Sequence, residues 1–292
     1  MYGLIVHGGA WDIPDELVDA HIKGVRKAME IGLDILKMHG SAEDAVDAAI
    51  SYMEDDTTFD AGKGSFLNRD GKVELDAIMY HGTKRCFGSC MGVKHVKNPI
   101  KLAHALMNDT EITILTGRGA EQYAKAHGLR IVPNSYFVIE RELNRWHQTK
   151  TKKIDAKDFF HHGTVGAVAL DTDGNIVAGT STGGTPNKHP GRVGDTPIPG
   201  AGAFATPMAG ASATGYGEAI LRTLLTYDAC VRVEQGKAPE IASSESITDM
   251  HNITGMFAGV IVLTENGKSG FAYNTPRMAR AYLKNGRIVT EV

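Results

Sequence analysis

The chain has 292 residues, 42% hydrophobic and 22% charged, a composition that excludes a disordered or fibrous protein and allows one large domain or two smaller ones. Thirty-one Lys and Arg against 34 Asp and Glu leave a net charge of -3, so no broad basic field exists to hold nucleic acid or an anionic membrane, and a small-molecule substrate is the expected partner. The start, MYGLIVHGGAW, carries neither the basic leader of a signal peptide nor a run long enough to span a membrane, and Cys86, Cys90 and Cys230 form no disulfide framework, so a cytoplasmic location is expected.

Gly3 to His7 read as a strand closed by a turn at Gly8-Gly9-Ala10. From Glu16 to Met38 apolar residues recur at helical spacing, and Gly40 is placed to end that helix. Ser41 caps a second helix with Ala45, Val46, Ala49, Ile50 and Met53 on one face. Short β segments run from Asp60 to Val93, and helices are predicted from Asn98 to Met107 and from Ala120 to His127. Glu140 to Phe160 is polar, without apolar periodicity, and reads as an exposed flexible segment. Beyond it Thr164 to Asp171 and Asn175 to Gly184 form a hairpin of two buried strands, followed by a glycine-rich loop. A helix over Gly217 to Gln235 and strands over Gly255 to Thr264 and Gly270 to Asn274 complete the reading. Strands and helices come in blocks, which favours stacked layers over a doubly wound parallel sheet.

Glycine numbers 34, well above the usual ~7% of residues, and clusters beside strands, where tight turns and close backbone approach to a ligand use it. The informative position is Thr164, which opens a strand straight after the polar segment and Gly163. If the bond before it were broken, its hydroxyl would be a nucleophile and its new α-amine, with an ordinary pKa near 8, the base. By this physics alone simple β propensity is the commoner reason for a Thr there.

HGTVGAVALD, GTSTGG, NKHPGRVGDTPIPGAGAFA and GASATGYGEAILR occur in an order and spacing that resemble the plant-type L-asparaginase and isoaspartyl peptidase family of N-terminal nucleophile hydrolases. HGGA at His7, FDAGKGS at Phe59, ELDAIM at Glu74, NPIKLA at Asn98 and LTGRGAEQYA at Leu115 extend the resemblance over nearly the whole chain. It implies an α/β fold, a four-layer αββα sandwich with two mainly antiparallel sheets between helix layers. It implies one domain over 1–292, cut at Gly163-Thr164 into an α subunit, 1–163, with a flexible linker over about 140–163, and a β subunit, 164–292. Two such pairs would form a homodimer.

The activity implied is hydrolysis of the side-chain amide of L-asparagine, of β-aspartyl dipeptides, or of both. Thr164 would be the nucleophile, Thr182 its hydrogen-bond partner, and Thr214 with Gly215 the oxyanion hole. Arg192 and Asp195 would take the substrate's carboxylate and ammonium, with Gly217 assisting through its carbonyl. No cofactor is required; family members often hold a structural sodium through backbone carbonyls, here those of Met53, Glu54, Asp56, Phe59, Ala61 and Lys63. Family members often carry Asn where Asp60 stands. Gly163 leans away from glycosylasparaginase-like members, which more usually have Asp there. Trp11 is read as a packing residue that could also line the substrate entrance.

Other readings are an unprocessed family member that binds amino-acid or β-aspartyl ligands without turnover, and a serine hydrolase acting through Ser181 of Gly179-Thr-Ser-Thr-Gly183. A serine-hydrolase elbow leads into a helix, which Pro186 and Pro190 disfavour here. Twelve histidines show no metal-ligand spacing, and His161-His162 read as linker.

Overall fold

The computed structural model describes residues 1–151 and 163–292. Two sheets carry the fold. The larger has the strand order β12 (Arg287–Glu291), β11 (Arg277–Lys284), β1 (Gly3–Trp11), β5 (Val165–Leu170), β6 (Ile176–Thr182), β2 (Leu75–His81), β3 (Cys86–Val93) and β4 (Ile114–Thr116). The smaller runs β10 (Ser269–Tyr273), β9 (Ala258–Thr264), β8 (Ala209–Gly215) and β7 (Ala203–Ala205). All pairings are antiparallel except β3 with β4.

Period-two alternation sorts the side chains of the central strands between two apolar regions. Leu4 and Val6 of β1 join the cluster beneath α1 (Asp15–Lys37), α2 (Ala42–Asp55) and α3 (Pro99–Met107), whereas Ile5 between them joins a cluster with Ile261 and Leu263 of β9. A third cluster lies between β8, β9 and the helices α6 (Gly217–Thr223), α7 (Leu225–Glu234) and α8 (Pro239–Thr254). Helices therefore cover both sheets, and the sheets meet through β1, β5 and β6 on one side and β8 and β9 on the other. Among the described residues no helix is long and apolar enough to cross a membrane.

Several expectations need correction. Gly8-Gly9-Ala10 is no turn: β1 continues to Trp11 through an irregular register between His7 and Ala10, with Gly9 at φ 100°. The stretch predicted as one helix after Gly217 is two, because Leu224 adopts a left-handed conformation at φ 49°. Gly255 does not open a strand but caps α8 at φ 69°, a conformation that glycine takes at little cost.

Glu140–Thr151, expected as flexible chain, is helix α5, after α4 (Gly117–Ala126) in chain order; 152–160 and His161-His162 lie outside the described residues. α5 is held by polar anchors that hydropathy does not register. Arg141 donates through Nη2 to the Thr57 carbonyl at 2.9 Å, and Trp146 donates its indole N–H to the Asn68 carbonyl at 2.8 Å, while Glu142 is buried between Arg141 and Arg145 of the same helix.

Candidate active site

Thr164 stands just before β5, flanked by β1 and β6. Its hydroxyl lies 3.1 Å from that of Thr182, and both side chains are buried. Thr182 also accepts the Gly184 N–H at 3.0 Å, so its own proton can serve Thr164. Asp60 ties the two strand ends together: its N–H donates to the Gly163 carbonyl at 3.2 Å and its carbonyl accepts the Gly183 N–H at 3.0 Å.

Thr164, Thr182, Arg192, Asp195, Gly215 and Gly217 border one narrow pocket, which Gly184, Thr185, Gly194 and Thr196 complete. Arg192 spends Nε and Nη2 on a two-pronged pair with Glu218, both bonds 2.9 Å, a geometry that fixes the plane of its fork. Asp195 is buried, and desolvation lifts its carboxyl to about 7 against the opposing pull of Arg192. Its Oδ2 has no hydrogen-bond partner among the described residues, which leaves an acceptor open toward a cationic ligand. A Cβ at Gly217 would sit 2.8 Å from both Arg192 Nη2 and Asp195 Oδ1, so glycine keeps the space between the two charges open.

Thr214, next to Gly215 near the end of β8, is fully buried and does not line this pocket; its oxygen accepts the Ala10 N–H at 3.3 Å. As acceptor of that bond, Thr214 keeps its own proton to donate. Gly215 follows at φ 136°, where a Cβ would lie 2.5 Å from the Ala258 Cα. Ser181 faces the other way: its hydroxyl donates to Glu54 Oε1 at 2.7 Å in the core, out of reach of substrate, which removes the serine-hydrolase reading.

Sequence reasoning missed Glu218 and Lys188. Lys188 is buried with Nζ donating to the Glu74 carbonyl at 2.9 Å, beside Asp76, and burial lowers its pKa. A lysine in a Gly- and Pro-rich loop carries no local sign of burial. In the sequence Asp60 stands out only as a departure from the family pattern; its Oδ1 accepts the Phe66 N–H at 2.7 Å, and burial pushes its carboxyl well above the usual carboxylate range. Trp11 belongs to the apolar core and also borders a second pocket, with Asp60, Phe66, Arg141, Glu142, Arg145 and Gly163.

The end of α2 and the loop after it carry the carbonyls expected to hold a cation. Lys63 N–H returns to the Glu54 carbonyl at 2.7 Å, and Phe59 N–H donates to that of Asp56. Gly62 and Gly64 have φ of 56° and 102°; a Cβ would stand 2.3 Å from the Glu54 oxygen at the first and 3.0 and 3.1 Å from those of Thr57 and Phe59 at the second. Carbonyl oxygens crowded around glycines suit a hard cation of low charge. Among the described residues no group of His, Cys, Asp or Glu is placed to hold a metal through side chains.

A family model described as asparaginase matches residues 1–291. The isoaspartyl peptidase/L-asparaginase of Xenopus laevis is 40% identical over 287 residues, 98% of this chain and 93% of the relative. The human protein of the same description is 39% identical over 291 residues, covering 98% and 94%. The plant-type L-asparaginase of Pyrococcus horikoshii is 39% identical over 302 residues, covering 98% and 97%.

Proposed function

The chain belongs to the asparaginase family, and on that premise we propose that it is a hydrolase of L-asparagine and of β-aspartyl dipeptides, with Thr164 as nucleophile. The observation that carries this reading is the Thr164 hydroxyl, 3.1 Å from that of Thr182, in one pocket with the opposed charges of Arg192 and Asp195.

The active form arises in the chain itself. Thr164 Oγ attacks the Gly163 carbonyl, the acyl group moves from nitrogen to oxygen, and water cleaves the ester to leave a Gly163 carboxylate and a free α-amine on Thr164. The chain, one domain over 1–292, then exists as two pieces folded together, because β1 of the first and β5 of the second pair along one sheet.

In turnover the substrate's α-carboxylate meets Arg192 and its α-ammonium meets Asp195 and the Gly217 carbonyl. The Thr164 hydroxyl gives its proton to the α-amine and attacks the side-chain carbonyl. The oxyanion takes the Thr214 hydroxyl and the Gly215 N–H, donors commonly worth about 3 kcal/mol each. The α-amine returns the proton to the leaving ammonia or amino acid, and water then cleaves the acyl-enzyme.

Helices on both outer faces of two packed sheets support a four-layer αββα sandwich. A sodium ion would be held by backbone carbonyls of Met53, Glu54, Asp56, Phe59, Ala61 and Lys63, at the end of α2 and in the loop after it, where its charge would offset those of the carbonyl oxygens. The same reading includes a homodimer of processed pairs, by resemblance, and a cytoplasmic location, which three free cysteines support. Release of ammonia from L-asparagine and of the leaving amino acid from a β-aspartyl dipeptide, measured for wild type beside Thr164→Ala, tests the function: release by wild type alone supports it, whereas ligand binding without release by either protein favours a non-catalytic binder.

A further inference from the structure

Three of the polar residues buried between the sheets have no part in the chemistry above. His7 Nε2 lies 2.9 Å from Ser212 Oγ, Ser212 Oγ lies 2.7 Å from Thr180 Oγ1, and the Thr180 hydroxyl donates to the Gly202 carbonyl at 2.8 Å. All three residues are fully buried.

Proton counting fixes the direction of this chain. Thr180 has one hydroxyl proton, and the Gly202 carbonyl takes it, so Ser212 must donate to Thr180. Ser212 has then spent its proton, so His7 must donate through Nε2. Burial lowers the His7 pKa to about 3, although a hydrogen bond with the Thr164 backbone pulls the other way, so the ring is neutral. His7 is therefore the Nε2–H tautomer, with a bare Nδ1 that has no partner among the described residues.

The placement gives the chain its meaning. His7 pairs with Gly166 across β1 and β5, and Gly166 pairs with Thr180 across β5 and β6. Residues two apart on a strand share a face. Gly166, Thr180 and Ser212 thus lie one layer below Thr164, Thr182 and Thr214 on the same three strands. A Cβ at Gly166 would stand 2.0 Å from Ser212 Oγ and 2.3 Å from His7 Nε2, so glycine is what admits the chain.

We propose that His7, Ser212 and Thr180 are positioning residues, a hydrogen-bonded floor that joins the two sheets and sets the catalytic threonines 164, 182 and 214 relative to one another. The inference rests on the function proposed above. Misplacement of reacting groups by about 1 Å can cost ~100-fold in rate, and a floor two residues below acts at that scale.

The test combines NMR of protein labelled with 15N-histidine, where the His7 signal is the one lost in His7→Gln, with processing and steady-state kinetics of Ser212→Ala, Thr180→Val, His7→Leu and His7→Gln. The expected result is the Nε2–H tautomer in wild type and a ~10–100-fold fall in processing rate and kcat, with KM little changed, for Ser212→Ala, Thr180→Val and His7→Leu. His7→Gln, which carries an N–H near the Nε2 position, recovers most of the rate. An Nδ1–H tautomer in wild type overturns the inference without any variant having to fold. Wild type that processes and hydrolyses, beside folded variants with equal kcat, overturns the inference alone; wild type that does neither overturns the function and the inference with it.

Discussion

The hydroxyl oxygens of Thr164 and Thr182 face each other at 3.1 Å across neighbouring strands, and the Gly184 N–H occupies one lone pair of Thr182. Thr182 is thereby oriented to give its proton to Thr164 and to leave the Thr164 proton free for transfer. Thr182→Val keeps the shape and removes the donor. Its kcat is expected to fall by ~100-fold or more, with slower processing, and steady-state ammonia release checks this.

Gly217→Ala separates processing from turnover. The new methyl group would press on both Arg192 Nη2 and Asp195 Oδ1 at 2.8 Å, in the space assigned to the substrate, while Gly163-Thr164 is untouched. The variant should process at the wild-type rate and lose at least ~10-fold in kcat/KM. Equal losses in both steps would place the defect in the fold and not in substrate binding.

Asp195 sets an acid limb. Burial holds its carboxyl near 7, and only the carboxylate attracts the substrate ammonium, so kcat/KM should fall as pH drops through about 7. Asp195→Asn should lower kcat/KM by ~100-fold and remove this limb from the pH profile. Any limb that persists belongs to the Thr164 α-amine, whose ordinary pKa is near 8.

Asp60 carries a buried carboxyl with a raised pKa, and this costs stability at neutral pH. Below its unfolded pKa of about 3.9 the group is protonated in both states and contributes nothing. Above that value the unfolded chain gains by ionising while the folded protein does not, so the penalty grows with pH until the folded pKa is passed. Asp60→Asn should therefore raise Tm, by more at pH 8 than at pH 5, in thermal melts of the Thr164→Ala background. A gain that is largest at the lower pH would contradict this.

What the sequence discloses follows the range of the interactions. The hairpin from Thr164 to Gly184 is legible because both strands are apolar and the turn is local, and the resemblance names Thr164, Thr182, Arg192 and Asp195 because they stand in contiguous motifs. Helix α5 is not legible: Arg141 and Trp146 hold it through the Thr57 and Asn68 carbonyls, not through an apolar stripe. Strands β11 and β12 and helix α8 are not legible either; alternation in β11 is broken by Arg277 and Arg280, of which the second lies over the Phe271 ring. Glu218, 26 residues from the Arg192 it orients, and Ser212, 205 from the His7 it meets, become partners only when the sheets close.

The central claim is that Thr164 becomes the N-terminal nucleophile by cleavage of the bond before it. Intact mass spectrometry of freshly purified and aged wild-type protein beside Thr164→Ala tests it most directly. Wild type should divide into pieces of roughly 18 and 14 kDa, in proportion to the residues on each side of Gly163-Thr164, while the variant stays at 31.3 kDa. Wild type that stays whole after prolonged incubation would contradict the account.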